Sequence, residues 1–162
     1  MRIVVLGGAG KMGCISVQDL ANHPRVNEVV IADQDLTQAR TVADIVGSPK
    51  VVVQQAAATS HDELVDVLRT ADACLNATVY YFNLAVMEAC VEARVPYTDM
   101  GGLFHTTRKQ LELHDRFAEA VRRRARARLD RILGAHQPEP LDETVQAELL
   151  AILDAAAQEL GA

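Results

Sequence analysis

VVLGGAGKMG, residues 4–13, places four glycines in seven positions directly behind an unbroken apolar run. Glycine is entropically costly, so such a cluster is kept where the backbone must turn or be approached closely. Within the stretch, Gly8, Gly10 and Gly13 spell G-x-G-x-x-G. The pattern alone is weak, but its context strengthens it. It follows the branched run RIVVL (2–6) and opens a helical pattern with Met12, Ile15, Val17 and Leu20 apolar, stopped near Pro24. Strand, glycine turn and helix in that order begin a βαβ unit whose helix N-terminus can receive phosphate. On this reading Gly8 makes the tight turn, Gly10 lets a pyrophosphate approach the main chain, and Gly13 lets helix and sheet pack closely. Ala9, Lys11 and Met12 lie between the glycines and complete the candidate cradle.

Outward from this loop the same alternation continues. EVVIAD (28–33) predicts a second strand, and 36–46 a helix stopped at Gly47. KVVVQQA (50–56) is a third strand, and Ser60 with Glu63 has the form of a capping box opening a helix to about Arg69. ADACLNAT (71–78), a helix over 82–93 and PYTDM (96–100) complete the series. Apolar strands alternating with helices imply a parallel sheet covered on both faces, a doubly wound α/β domain over residues 1–105.

Residues 106–162 differ in kind. Leu113, Phe117, Val121, Ala125, Leu129 and Ile132 recur at helical steps, broken by Gly134 and QPEP (137–140). Leu141, Val145, Leu149, Ile152 or Leu153, Ala156 and Leu160 form a second stripe, with Asp142 as its N-cap. The expectation is a C-terminal helical hairpin whose apolar stripes suit a homodimer contact or docking on another protein.

Composition narrows the function classes. The chain has 162 residues, 49% hydrophobic, with no Trp and 4% aromatic content, so its core is aliphatic. A net charge of −6 argues against nucleic acid or an anionic membrane as partner. Cys14, Cys74 and Cys90 are an odd set without metal-type spacing and read as reduced thiols of a cytoplasmic protein. The first apolar run is too short for a signal peptide or a membrane span. His105, His114 and His136 share no metal-ligand spacing, so no metal is expected. The run Arg122–Arg128 reads as a solvated helix face balanced by neighbouring acids.

Asp33 ends the second strand twenty residues after Gly13, where a carboxylate can accept hydrogen bonds from an adenine-ribose diol. A carboxylate there repels a 2′-phosphate, which favours NAD over NADP. Arg40, on the following helix, reads as solvated. Ligands of doubly wound sheets lie beyond the carboxyl ends of the strands, so Asn76, Ala77 and Thr78 line the nicotinamide side, and Asp99 faces a substrate or caps its loop.

VVLGGAGKMG, IADQD, ADACLNAT, MEACVEARVPYTDMGGLFH and TTRKQLELHDRFAEA together resemble the N-terminal nucleotide-binding (Rossmann-like) domain of the saccharopine dehydrogenase family. The likeness covers about three quarters of the chain, residues 1–120. It implies NAD or NADP held by Gly8, Gly10, Gly13 and Asp33. Asn76 and Thr78 would then approach the nicotinamide ribose, and Asp99 would face the pocket of an amino-acid-type amine. Val95 stands where the family generally has glycine, and near Ala120 the likeness ends before a substrate domain. The tail is similar, over a short stretch, to the C-terminus of trimethylamine methyltransferase-like proteins. Two functions stand at this point: the cofactor domain of an NAD(P)-dependent oxidoreductase, or a non-catalytic dinucleotide-binding or assembly module.

Overall fold

The computed structural model describes residues 1–135 together with 142, 144, 145, 147, 148 and 150–152. Five strands alternate with helices in the order expected: β1 Arg2–Leu6, α1 Lys11–Asn22, β2 Glu28–Asp33, α2 Leu36–Val46, β3 Val51–Gln55, α3 His61–Leu68, β4 Ala73–Asn76, α4 Asn83–Ala93 and β5 Tyr97–Asp99. The strands form one parallel sheet ordered β3-β2-β1-β4-β5. The order reverses direction between β1 and β4, so the turns leaving those two strands diverge and open a crevice.

Between polar ends such as Arg2, Glu28 and Asp33, the central strands are apolar because both of their faces are covered. Ile3 and Val5 of β1 join Val29, Ile31, Val17 and Val42 beneath α1 and α2. Val4 and Leu6, alternating to the opposite face, join Val30, Leu64, Leu68 and Val86 beneath α3 and α4. Ile31, Val4 and Val5 are wholly excluded from solvent.

Local signals explain most boundaries. Asp35 caps α2 by accepting the Thr37 and Gln38 N–H groups at 3.0 Å each, and Gly47 ends it in the left-handed region at φ 61°. The expected capping box at α3 does not form. Ser60 occupies the cap position without a side-chain bond, while the Glu63 carboxylate accepts the Ala57 N–H at 2.9 Å. At the end of α4 the left-handed residue is Arg94, φ 58°, with Val95 next to it fully buried in the core. The conformation that asks for glycine therefore falls one residue before the position singled out from the resemblance.

Beyond β5 the long stripe is interrupted. α5 spans Phe104–Leu111, residues 112 and 113 turn, and α6 runs His114–Ala135. Leu113 belongs to the turn, while Phe117 packs on the core with its ring 6.2 Å from that of Tyr97. The chain divides into two compact units, Met1–Ala127 and Arg128–Ala162. In the second, Asp142 accepts the Thr144 N–H at 2.8 Å, as an N-cap does, and hydrogen bonding from the Thr144 side chain, helped by that backbone bond, holds its carboxyl below the usual range. The rest of the second arm expected for a hairpin, Leu141, Leu149, Leu153, Ala156 and Leu160 included, lies outside the described residues. No helix among the described residues is long and apolar enough to cross a membrane.

Candidate functional site

The glycine loop takes its shape from the close approach of α1 to the end of β1. Gly7, not Gly8, makes the tight turn: its φ is +69°, its N–H bonds Ala32 O at 2.9 Å, and its carbonyl accepts the Gly10 N–H at 3.0 Å. Gly8 is buried against Ile31, and a Cβ there would meet the Ile31 side chain and the Val5 carbonyl, both at 3.1 Å. A Cβ at Gly13 would lie 2.2 Å from Gly7 O and 2.7 Å from Gly8 Cα, so only glycine lets the helix sit this close. Gly10 differs from both. It is exposed, stands as the N-cap of α1 with φ −73°, and offers bare backbone with no side chain over the helix end. That end carries free N–H groups and the positive pole of the helix, the chemistry an anion needs.

The carboxyl end of β2 is tied to this loop. Asp33 accepts the Ala9 N–H at 3.2 Å through Oδ2 and the Asp35 N–H at 3.1 Å through Oδ1. The Gln38 amide donates to Ala9 O at 3.1 Å. Ala9 is thus held at both its N–H and its carbonyl by side chains of β2 and α2. Gln38 was invisible to motif reading, because its partner is a backbone carbonyl distant in sequence.

A cleft of about 280 Å³ lies between these elements at the carboxyl end of the sheet. Gly7, Gly10, Asp33, Gln34, Ala77, Thr78, Val79 and Phe82 line it, with Ala56, Ala58 and Thr59 from beyond β3. Of the residues expected from sequence, it brings together Gly10, Asp33, Ala77 and Thr78. Gly8, Ala9 and Gly13 are buried in the loop behind them, and Lys11 and Met12 are exposed on the first turn of α1. Ala56 to Thr59 carried no motif; their only signal was their place after a strand.

Asn76 is fully buried. Its Oδ1 accepts the Thr78 N–H at 3.1 Å and the Thr78 hydroxyl at 2.7 Å, and its Nδ2 donates to Asn83 Oδ1 at 3.0 Å and to the Tyr97 hydroxyl at 3.2 Å. Its amide is spent within the protein, where it folds the turn that presents Thr78. Asp99 is the acceptor at the other end of this network. Its Oδ2 receives Asn83 Nδ2 at 3.0 Å, Tyr97 OH at 2.7 Å and Gln110 Nε2 at 2.5 Å, and its Oδ1 receives the Gly101 N–H at 2.7 Å. Burial pushes the Tyr97 phenol well above its ordinary value, reinforced by the hydrogen bond to Asp99 and opposed by the one from Asn76.

Asp99 and Tyr97 also line a second groove, of about 610 Å³, alongside β5 and bounded by Met87, Gln110, His114 and Phe117. His105 is exposed on α5 against the Phe104 ring and lines neither cavity. No group of three His, Cys, Asp or Glu side chains among the described residues is placed to hold a metal. Within the basic run Arg123 pairs with Glu119 and Arg124 with Asp72; Arg116, upstream of it, pairs with Glu88. Cys14 donates to Lys11 O at 3.3 Å and packs partly against the core.

The sequence model of the family described as the saccharopine dehydrogenase NADP binding domain matches residues 3–127. Carboxyaminopropylagmatine dehydrogenase of Synechocystis sp. is 30% identical over 101 residues, which cover 61% of this chain and 25% of that protein. Among solved structures, apo saccharopine dehydrogenase (L-Glu forming) of Saccharomyces cerevisiae is similar with a TM-score of 0.56 and 22% identity, over 67% of this chain and 23% of the other. A short-chain dehydrogenase/reductase of Veillonella parvula in complex with NADP is similar at a TM-score of 0.51 and 14% identity, over 60% and 46% of the two chains. At such identities the structural likenesses speak for the fold alone. The chain spans about a quarter of the length of the curated relative and of the yeast enzyme. The family description names NADP and lends no support to the NAD preference drawn from Asp33.

Proposed function

Because the chain belongs to the saccharopine dehydrogenase NADP-binding domain family, we propose that the cleft at the carboxyl end of its sheet holds the nicotinamide dinucleotide of a saccharopine dehydrogenase-like oxidoreductase. The observation that carries this is the bare N-cap at Gly10 opening into the same cleft as Asp33 and Thr78. The pyrophosphate sits on the backbone around Gly10, held by N–H groups of the first turn of α1. The adenosine ribose lies toward Asp33 and Gln34, and the nicotinamide toward Ala77 and Thr78. When bound, the cofactor supplies the hydride carrier. The chain's residues bind and orient it, and Phe82 and Val79 shield it on the β4 side.

The substrate we propose is an amino-acid-type amine, facing Asp99, with hydride passing to or from its amine-bearing carbon. This reading is supported by Asp99 lining the larger groove, with a carboxylate there to attract an ammonium group. NADP is the form the family description carries, so we take NADP(H) as first ligand and NAD(H) as its competitor. The three free thiols suit a reducing compartment such as the cytoplasm.

Calorimetric titration of the purified chain with NADPH and separately with NADH tests the proposal. Micromolar binding of either that is lost in Gly10→Val supports it. Absence of binding to both overturns it.

A further inference from the structure

We propose that Gln110, on α5, is a positioning residue for the nicotinamide-side wall of the dinucleotide cleft, acting through Asp99, Asn83 and Asn76 on Thr78. The inference deepens the proposed cofactor reading and rests on it for its consequence in binding.

The path is continuous. Gln110 donates to Asp99 Oδ2 at 2.5 Å; the same oxygen receives Asn83 Nδ2 at 3.0 Å. Asn83 Oδ1 accepts from Asn76 Nδ2 at 3.0 Å, and Asn76 Oδ1 accepts both the N–H and the hydroxyl of Thr78. Asn76 and Asn83 are at most 1% exposed, so water cannot take over these bonds cheaply. A planar amide whose both ends are committed has one orientation, and it transmits a loss at one end to the other. Thr78 in turn touches the glycine turn, since a Cβ on Gly7 would meet Thr78 Cγ2 at 3.0 Å. Removing the Gln110 donor leaves Asp99 Oδ2 with two partners and takes away a hydrogen bond that ties α5 to the sheet end. The network then relaxes and the Thr78 wall loses its fixed position.

The test uses the full chain with Gln110→Ala, Gln110→Glu and, as control, the exposed neighbour Arg108→Ala. NADPH and NADH affinities are measured relative to wild type at about pH 5 and about pH 8, alongside hydrogen exchange at the Thr78 amide. An introduced carboxyl beside Asp99 shares one proton with it in acid and is repelled by it when both ionise. We expect Gln110→Ala to bind about fivefold more weakly at both pH values. Gln110→Glu should approach wild type in acid and fall away in base, with faster Thr78 exchange accompanying each loss. That pH-dependent recovery is something general destabilisation of α5 would not produce. Unchanged affinity and exchange in Gln110→Ala overturns the inference, as does a Gln110→Glu that is equally weak at both pH values. If wild type binds neither nucleotide, the cofactor reading has failed and the exchange data decide the link alone. Faster Thr78 exchange in Gln110→Ala then upholds it and unchanged exchange ends it.

Discussion

A methyl group on Gly13 would lie 2.2 Å from the carbonyl oxygen of Gly7. Two glycines six residues apart therefore fix how closely α1 approaches the end of β1, and they do so before any ligand is considered.

This separates two kinds of glycine in one motif. Gly13→Ala must push α1 off the loop, and we expect a loss of about 3 kcal/mol or more from overpacking against backbone that cannot move aside. A Cβ at Gly10 meets only Gly7 O, at 3.2 Å, from a conformation any residue adopts, so Gly10→Val starts from largely open space rather than packed backbone. It should leave the melting temperature within a few degrees of wild type while weakening dinucleotide binding at least about tenfold. Thermal melts and titrations of the two variants check the contrast. Equal melting temperatures would refute the packing role of Gly13.

Asp33 serves the fold and the ligand by the same atoms. Asp33→Ala leaves the N–H groups of Ala9 and Asp35 without their acceptor, at a cost of about 1–3 kcal/mol by denaturant unfolding. It also removes the charge that opposes a 2′-phosphate, so the NADPH-to-NADH affinity ratio should rise. Arg40→Ala is the companion variant: if Arg40 pairs with a 2′-phosphate, that ratio falls. An unaltered ratio in Asp33→Ala would remove Asp33 from nucleotide selection.

Arg94 adopts φ 58° at the C-cap of α4, a conformation costly for any side chain with a Cβ. Arg94→Gly relieves that cost at a site where glycine is the preferred residue. We expect a gain of about 1 kcal/mol, read as a rise in the unfolding midpoint.

Tyr97 gives the fold an alkaline limit. Its phenol is held above the ordinary value of 10.0, chiefly by burial, so the fold favours the neutral form. The stability from that preference is fully present below the unfolded tyrosine's pKa of about 10. It is lost as pH climbs from there toward the folded-state value. Near-ultraviolet absorbance should show the Tyr97 ionisation step only as the chain unfolds. Tyr97→Phe abolishes that last step while also removing the donor to Asp99, so it melts lower at neutral pH.

The alternation of elements was legible because period and punctuation act locally. Helical patterns stopped at Pro24 and Gly47 declare their boundaries within a few residues, and the strands between them are apolar on both faces only because helices cover both. The glycine motif located the cleft, though the turn itself belongs to Gly7. At Ser60 and Glu63 the local pattern was present, yet Glu63 found a better donor in the Ala57 N–H.

What the linear order determined, then, was a parallel sheet with a phosphate-type loop after its first strand and an acidic residue after its second. Tertiary structure alone decided which side chains reach the cleft and which are spent in holding it. Asn76, Asn83, Asp99 and Gln110 are neighbours only because β4, β5, α4 and α5 converge at one end of the sheet. Hydrogen bonds reach about 3 Å, and no spacing along the chain records which amide will come within that distance of which carboxylate.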